Sequence, residues 1–451
     1  MKYKAYTSRN FEEIPQISTL SSKTIEEMKA VAAVFPFKTN NYVVEQLINW
    51  NNIPADPVYQ LTFPQPGMLP KNILDKLTDA VRSGDSEQLA VQARNIQMEM
   101  NPQPAGQLEL NVPEYYNQPL SGLQHKYRET VLFFPEHGQT CHAYCTYCFR
   151  WAQFIGIDEL KMAGRETEIL IDYLEDHPEV TDLLITGGDP MFMRTKLVRR
   201  YIEPILRKKP GGLQTIRIGT KALSYWPYRF TTDSDAPELL DLFREVAAAG
   251  FNLSVMAHFT HIVEMETEEA AAAIELIKST GAVIRCQSPI LKQINDDADM
   301  WAEMWKKQVH FGLIPYYMFV ARDTGPKSYF TLTLDETYRI FSKAMRQVTG
   351  LARTVRGPSM STKAGKVLLV GISEINGEQF YALKFIQARD TELVNKVFYA
   401  KYNPDAVWIT DLKPAFDSDR RFFTGQKPEV EFLLPCRSGR DSEVEAGKNC
   451  C

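Results

Sequence analysis

Three cysteines lie close together and are the residues most able to do chemistry. They form the pattern Cys141-x3-Cys145-x2-Cys148. Cysteine thiolates are the protein ligands of iron–sulfur clusters, and three of them hold three irons of a [4Fe–4S] cube, which leaves the fourth iron open to a substrate or cofactor. A structural zinc site is the alternative, but it usually takes a fourth ligand from a second cysteine or histidine pair. His142 lies inside the loop and no second pair follows, so the spacing favours the cluster.

The other four cysteines do not extend this site. Cys286 falls in the apolar run AVIRCQ, where a buried core thiol is expected. Cys436, Cys450 and Cys451 stand near the C-terminus without a good set of partners, so no structural zinc is expected there. Seven cysteines in 451 residues is an odd and modest number, which argues against a disulfide framework.

Short β-rich runs alternate with amphipathic helical stretches from about residue 130 onward. The six runs are VLFFP, DLLITGG, TIRIGT, NLSVMAHF, AVIRCQSPIL and IPYYMFV. Each intervening helix must return the chain to the same edge of the sheet, so the strands are predicted to be parallel. Polar residues follow strand after strand, which favours a partial or full α/β barrel over a flat doubly wound sheet. The cysteine loop directly follows the first of these strands.

Changes in pattern divide the chain into four regions. Residues 1–120 are predicted to form a helical domain, in which a segment with five prolines, IPADPVYQLTFPQPGMLP, cannot be regular helix. Residues 121–345 hold the α/β core. Residues 346–435 add further short strands, KVLLVGI and EQFYALKF, and residues 436–451 are polar, lack periodicity and are predicted to be a flexible tail.

Composition excludes several classes of protein. Hydrophobic residues make up 44% of the chain and charged residues 24%, as in ordinary globular proteins, so a disordered chain or a coiled coil is not expected. No apolar run is long enough for a membrane helix and no secretory signal is visible, so a cytoplasmic location is expected. The net charge of −5 indicates no nucleic-acid partner and fits a small-molecule substrate.

The cysteine spacing resembles that of radical S-adenosylmethionine enzymes. Phe149 and Arg150 follow the third cysteine, as an aromatic residue often does in that family. After the second strand, the run Thr186-Gly187-Gly188-Asp189-Pro190 is similar to the glycine-rich contact to the methionine amino group. Glycines allow a close approach of backbone to ligand, so the chemistry agrees with the resemblance.

A narrower resemblance covers residues from about 20 to 425. The segments GLQHKYRETVLFF, RIGTK, HFTH, QSPILKQIND and PYYMFV resemble lysine 2,3-aminomutase. That resemblance implies a partial (β/α)6 barrel of parallel strands with an N-terminal helical domain and a C-terminal extension. It also implies a [4Fe–4S] cluster, S-adenosylmethionine and pyridoxal 5′-phosphate, which together move an amino group between the α- and β-carbons of an amino acid. An external electron donor such as flavodoxin or ferredoxin, and self-association, are implied as partners.

The resemblance also assigns roles to individual residues. Lys366 corresponds to the lysine that holds pyridoxal phosphate, with Lys363 as the alternative three residues earlier. Arg150 corresponds to the arginine that pairs with the substrate α-carboxylate, a role that suits a guanidinium fork. Lys126 and Gln287 are expected to contact cofactor, together with Gly187, Gly188 and Asp189. His258 and His261 either line the cavity or support it.

Departures from the family bear on substrate and cofactor. Thr130 stands where an arginine contacts the phosphate of pyridoxal phosphate, and Lys126 replaces another arginine. Arg322 stands where the lysine enzymes place an aspartate for the distal ammonium, unless Asp323 takes that role by a one-residue shift. A cation there repels lysine, so an acidic or neutral substrate is predicted. Two alternatives stay open: a radical enzyme without pyridoxal phosphate, and a non-catalytic metal-binding protein on the same scaffold.

Overall fold

The computed structural model describes residues 1–156, 160–164 and 167–423 of the 451-residue chain. Cys436, Cys450, Cys451 and the predicted tail over 436–451 lie outside these residues. Fifteen strands, β1 to β15, are found in the described part: Ala5–Thr7, Lys38–Asn40, Glu114–Tyr115, Gln118–Pro119, Leu123–Tyr127, Thr130–Phe133, Asp182–Ile185, Thr215–Thr220, Asn252–His258, Val283–Ile290, Ile314–Val320, Arg356–Ser361, Gly365–Ile375, Glu378–Ala388 and Val397–Lys401.

Fifteen α-helices accompany the strands over the same described residues. In chain order, α1 to α15 are Ser22–Val34, Pro57–Thr62, Lys71–Ser83, Ser86–Glu99, Gln107–Asn111, Thr167–Asp176, Thr195–Lys208, Ala222–Tyr225, Tyr228–Thr231, Ala236–Ala248, Glu268–Lys278, Ala298–His310, Lys327–Phe330, Leu334–Arg346 and Arg420–Phe423. Among the described helices, none is both long and apolar enough to cross a bilayer.

One local prediction in the N-terminal region is wrong. The proline-rich segment between α1 and α3 contains a short helix, α2, although regular helix was excluded there. Proline is tolerated at the first position of a helix, because the missing N–H has no partner within the helix at that position. Pro57 takes that position, and the Asp56 carboxylate accepts a hydrogen bond from the Tyr59 N–H to cap the helix.

A large sheet of eleven strands forms the centre of the molecule. Strands β6 to β12 lie side by side in chain order and are parallel. Strand β5 adds to one edge and β13 to β15 add to the other, all antiparallel to their neighbours. The six predicted strands correspond to β6 to β11, so the mixed α/β fold with a mostly parallel sheet is confirmed. Strands β12 to β15, which lie within the region set apart at 346–435, continue this same sheet.

Successive side chains of a strand point to opposite faces of the sheet. One face therefore packs in the core, and the other faces a cavity. Leu183, Ile216 and Val255 are at most 1% exposed and pack in the core with the helices. Arg217 and Met256, their neighbours in sequence on β8 and β9, line a cavity instead. Residues from β5 through β14 contribute to that cavity, so the sheet curves around it as a partial barrel.

The two sides of the curved sheet meet. Lys126 on β5 donates a hydrogen bond from its ammonium to the carbonyl of Thr362, which follows β12. Arg389, just after β14, donates to the side chain of Asn111 in α5 and to the carbonyl of Lys363. These contacts join the C-terminal strands to the start of the barrel and complete the wall of the cavity.

Candidate functional site

The cavity has a volume of about 370 Å³ and opens among the C-terminal ends of the parallel strands. Twelve residues selected from the sequence line it: Lys126, Cys141, Cys145, Cys148, Arg150, Gly187, Gly188, Asp189, His258, Gln287, Arg322 and Lys366. Three alternatives considered with them, His261, Asp323 and Lys363, are not among the lining residues. Residues separated by more than 200 positions in the chain are therefore brought to one chamber.

The cysteine loop is held in place by the N-terminal region. Tyr144 donates its backbone N–H to the carbonyl of Lys38 at 2.8 Å, and Thr146 donates to the carbonyl of Leu61 at 2.9 Å. The buried side-chain amide of Asn40 donates to the carbonyls of His142 and Tyr225, at 3.2 and 3.0 Å. The N-terminal region thus fixes the backbone on which the three thiols stand.

The three thiols fit the cluster that their spacing predicts. Cys141, Cys145 and Cys148 are free and all face the cavity. Over the described residues, no three histidine, cysteine, aspartate or glutamate side chains are placed around a single ion. A [4Fe–4S] cube takes one thiolate per iron, so three separated thiols suit it better than they suit one zinc ion. Burial raises the pKa of each thiol, that of Cys148 to about 12, so a bound cationic group is needed to hold them as thiolates.

The glycine pair is packed directly against the cysteine loop. Gly188 donates its N–H to the carbonyl of Gly138 at 3.1 Å. A Cβ on Gly188 would lie 2.5 Å from the backbone nitrogen of Thr140, the residue before the first cysteine. Gly187 adopts a φ of +150°, in a region that residues with a side chain rarely occupy. Both positions therefore require glycine so that the two loops can touch.

Asp189 braces the same region with its carboxylate. One oxygen accepts from the Met191 N–H at 2.9 Å and from the Thr220 hydroxyl at 2.7 Å, and the other accepts from the Lys221 N–H at 2.9 Å. Burial raises the pKa of this carboxyl to about 6. The side chain fastens the loop after β7 to the end of β8, so a direct contact to cofactor would come from the backbone of this segment.

Two arginines share one aromatic ring in the cavity. The guanidinium carbon of Arg150 lies 5.1 Å from the centroid of Phe149 and 4.5 Å from that of Phe134. The guanidinium carbon of Arg322 lies 4.3 Å from the centroid of Phe149. Burial lowers the pKa of both to about 10. Arg150 is only 9% exposed, and over the described residues its Nη1 has no hydrogen-bond partner, as expected of a group that binds an anionic ligand.

Lys366 stands near the start of β13 with its ammonium inside the cavity. Its Nζ lies 4.1 Å from the ring centroid of Tyr317 and 5.5 Å from that of Phe319. Burial, helped by the nearby cations Arg217 and Arg322, lowers the pKa of Lys366 to about 7. Lys363, the alternative, is exposed. A neutral amine in a closed chamber is the form that attacks a carbonyl group.

Lys126 and Tyr127 provide hydrogen-bond donors on the opposite strand, β5. Burial, together with the nearby cations Arg322, Arg389 and Lys366, lowers the pKa of Lys126 to about 6. The hydroxyl of Tyr127 is buried, and Tyr127 also lines the cavity. These groups and the Lys366 amine fit the phosphate and carbonyl of pyridoxal phosphate.

Sequence reasoning missed an ion pair inside the cavity. Arg217 on β8 pairs with Asp182 on β7 at 2.6 Å, and both line the chamber. Thr130 is buried and places its hydroxyl 3.4 Å from the Asp182 carboxylate. The alternation in TIRIGT could have shown this, since Arg217 stands two residues before Gly219 and shares its face of the strand.

The two histidines have different positions. His258, at the end of β9, lies in the cavity with its Nε2 2.8 Å from the side-chain nitrogen of Gln287, and burial lowers its pKa to about 3. His261 instead accepts a hydrogen bond from the Val263 N–H at the start of a short 3₁₀ turn. Of the two alternatives left open for these histidines, His258 therefore lines the cavity, whereas His261 lies beside it because the chain has turned away from the strand end.

Comparison with known proteins identifies the family. A protein of Aquifex aeolicus (strain VF5), described as "Putative L-lysine 2,3-aminomutase", is 30% identical over 401 residues, which are 89% of this chain and 92% of the relative. The chain belongs to the lysine 2,3-aminomutase family. The L-lysine 2,3-aminomutase of Clostridium subterminale is also 30% identical, over 48% of each chain.

Comparisons with protein-family models and with solved structures contribute less to this identification. No protein-family model matches the chain. Among solved structures, that of Streptococcus suis SuiB bound to S-adenosylmethionine aligns with 61% of this chain and 59% of SuiB, at 10% identity and a TM-score of 0.34. Membership of the family therefore stands on the sequence relatives.

Proposed function

We propose that this family member is a radical S-adenosylmethionine amino acid 2,3-aminomutase that acts on a substrate other than lysine. The observation that carries the proposal is the shared chamber: the cysteine loop, Arg150 and Lys366 all open on one cavity of about 370 Å³. A chamber of this size is within the usual range for small-molecule sites. Membership of the family supplies the reaction type, which moves an amino group between the α- and β-carbons.

Each cofactor has residues that suit it. The cluster would be held by Cys141, Cys145 and Cys148, and S-adenosylmethionine would lie against the backbone of the Gly187–Gly188 pair. Pyridoxal phosphate would be held by Lys366, with Lys126 toward its phosphate. When bound, these groups supply a radical that removes a hydrogen atom and a π-system that stabilises the unpaired electron during nitrogen migration. A donor such as flavodoxin or ferredoxin would deliver the electron.

The chain's own side chains position the substrate and exclude water. The unpartnered Nη1 of Arg150 suits an α-carboxylate, because a guanidinium fork binds two oxygens in a fixed geometry. Lys366 offers a neutral amine near pH 7. Tyr317 and Phe319 stack on each other at 4.9 Å beside that amine and keep its surroundings apolar. Reactive intermediates are protected when water is kept out of such a site.

A second candidate is a radical enzyme of the same type that has lost pyridoxal phosphate. The observation that favours it concerns the residues expected near the phosphate of pyridoxal phosphate. Thr130 is neutral, and Lys126 already donates a hydrogen bond to the Thr362 carbonyl. A phosphate there would have to share Lys126 with that carbonyl. The two candidates differ in cofactor content and are separated by experiment.

The cluster is tested by removing its ligands. Replacing Cys141, Cys145 and Cys148 together with alanine should abolish iron–sulfur absorbance and the release of 5′-deoxyadenosine in anaerobically reconstituted protein. Cys286→Ala removes a buried thiol on β10 that does not line the cavity, and it should leave both signals in place. Continued cleavage of S-adenosylmethionine by the triple variant would contradict the proposal.

Pyridoxal phosphate is tested by covalent trapping. Borohydride reduction of protein reconstituted with the cofactor should fix one pyridoxyl group on Lys366, as located by peptide mapping. Lys363→Ala should label normally, since Lys363 is exposed outside the cavity. Label on Lys363 would show that the wrong lysine has been chosen, and complete absence of label would favour the second candidate.

A further inference from the structure

Arg322 is a cavity cation without a counter-charge. It lines the chamber, and among the described residues no carboxylate forms an ion pair with it. The two carboxylates that line the chamber are engaged elsewhere: Asp182 pairs with Arg217, and Asp189 braces its own loop. A buried cation left unpaired is costly, so the site is suited to an anion supplied from outside.

The neighbouring Asp323 does not serve that purpose. Its carboxylate forms an ion pair with Lys327, one helical turn later, and its carbonyl accepts a hydrogen bond from the side chain of Asn101. Asp323 is 40% exposed at its side chain and lies outside the residues that line the cavity. Arg322 therefore faces the chamber while Asp323 faces away, and among the residues that the structure describes no acidic group near the end of β11 is free to bind a substrate ammonium.

The two arginines are close enough for one small molecule to reach both. Because their guanidinium carbons lie 5.1 and 4.3 Å from the same Phe149 centroid, they are no more than about 9.4 Å apart. The two carboxylates of one small dicarboxylic amino acid can therefore each accept a charge-assisted hydrogen bond of about 2.8 Å from one of the two guanidinium groups. The buried hydroxyl of Tyr127 lies near Arg322 and adds a neutral donor.

We propose that Arg322 forms a second carboxylate subsite and that the substrate is a dicarboxylic amino acid of the glutamate class, since moving the amino group of aspartate to its other inner carbon would only regenerate aspartate. This inference rests on the proposed function, in which Arg150 takes the α-carboxylate. Arg322 then takes the distal carboxylate, and each cation gains an anionic partner that the described part of the chain does not provide. A basic amino acid would bring its ammonium against Arg322, an unfavourable like-charge contact in a closed site.

The first test is a panel of substrates on the wild-type holoenzyme, with glutamate, aspartate, glutamine, asparagine and lysine. Binding is measured by calorimetry and turnover by substrate-dependent release of 5′-deoxyadenosine. Each acid should bind about 10- to 100-fold more tightly than its own amide, the range expected for a charged hydrogen bond. Equal binding of acid and amide, or tighter binding of lysine, would overturn the inference. Selective binding of the acids without any radical chemistry would instead count against the proposed function and leave the subsite standing.

The second test removes the cation. Arg322→Gln should abolish the preference for acid over amide, and Arg322→Lys should restore part of it. Arg285→Gln is the matched control, because Arg285 also stacks on an aromatic ring, Tyr316 at 5.3 Å, but does not line the cavity. Circular dichroism and pyridoxal phosphate content are measured for each variant. If Arg322→Gln loses pyridoxal phosphate but keeps its preference for the acids, Arg322 serves the cofactor phosphate and the inference is wrong.

Discussion

Lys366 is placed where an amine gives up its proton near neutral pH. A lysine in water has a pKa near 10.4, whereas burial beside Tyr317 and Phe319 lowers the pKa of Lys366 to about 7. The nearby cations Arg217 and Arg322 act in the same direction. The nucleophilic form of this one side chain should therefore be abundant at a pH where exposed lysines are almost fully protonated.

We expect selective labelling of Lys366 in protein freed of pyridoxal phosphate. With a limiting amount of a small amine-reactive reagent, its rate of modification should rise with a midpoint near pH 7, well below that of exposed lysines in the same sample. Mass spectrometry of peptides follows each lysine separately. A midpoint for Lys366 near that of the exposed lysines would contradict the burial argument.

Some residues of the site can be predicted from the sequence, whereas the position of others cannot. The cysteine spacing and the glycine pair are local patterns, and the structure brings them to one cavity. The choice between Arg322 and Asp323 is different, because adjacent residues at a strand end point to opposite sides and the register is fixed only by pairing with neighbours. The choice between Lys363 and Lys366 is equally hard to make from the sequence, because Lys363 precedes β13 and Lys366 is its second residue.

At the scale of elements, the loop after β7 acts as a support for the cysteine loop. Gly188→Ala would push a Cβ to 2.5 Å from the Thr140 nitrogen and 2.6 Å from its carbonyl oxygen, where backbone has to shift. We expect lower iron content after reconstitution and a loss of about 1 to 3 kcal/mol in the free energy of unfolding, as for other overpacked sites. Iron analysis and denaturant unfolding measure the two effects.

Gly211→Ala is the control for that substitution, since nothing lies within 4 Å of the Cβ that it would add. Its iron content and stability should stay close to those of the wild type. Full iron content in Gly188→Ala would contradict this prediction, because it would show that the two loops can move apart without loss of iron binding by the three thiols.

The strands and helices of the core were predictable from the sequence, but the way in which the C-terminal strands pair with the sheet was not. Repeated βα units give parallel neighbours in chain order, and β6 to β11 follow that rule. Residues 346–435 carry no repeat, so nothing local says that β12 pairs with β11 in parallel and that β13 to β15 then reverse. Such pairing is decided by which sheet edge is free after α14, a property of the assembled barrel.

At the scale of the whole molecule, the cavity encloses two lysines whose amines lose their protons on folding near neutral pH. Lys126 and Lys366 have folded pKa values of about 6 and about 7, far below the value of about 10.4 for an unfolded lysine. Between pH 7 and 8 the unfolded chain therefore binds protons that the folded protein does not. The free energy of unfolding of ligand-free protein should rise over this interval, by up to about 1.4 kcal/mol per lysine.

Denaturant unfolding at pH 7 and pH 8 checks this expectation. The variant with Lys126→Met and Lys366→Met should lose most of the rise, and the difference between the two proteins isolates the lysines from other groups. The interval stops at pH 8 because the buried thiols, whose pKa is raised, oppose the trend at higher pH. An identical pH dependence in both proteins would show that folding does not lower the pKa of these two lysines.

The eleven strands run across the sheet in the order of the chain, from β5 at one edge to β15 at the other. During synthesis, each strand can therefore add to the edge left by the one before it, and the last step is the meeting of Lys126 with Thr362, 236 residues later. The cysteine loop leaves the ribosome long before the wall that carries Lys366. The three thiols are thus made before the wall that completes the chamber around them. Under the proposed function, the cluster site would then be accessible before the pyridoxal phosphate site is formed.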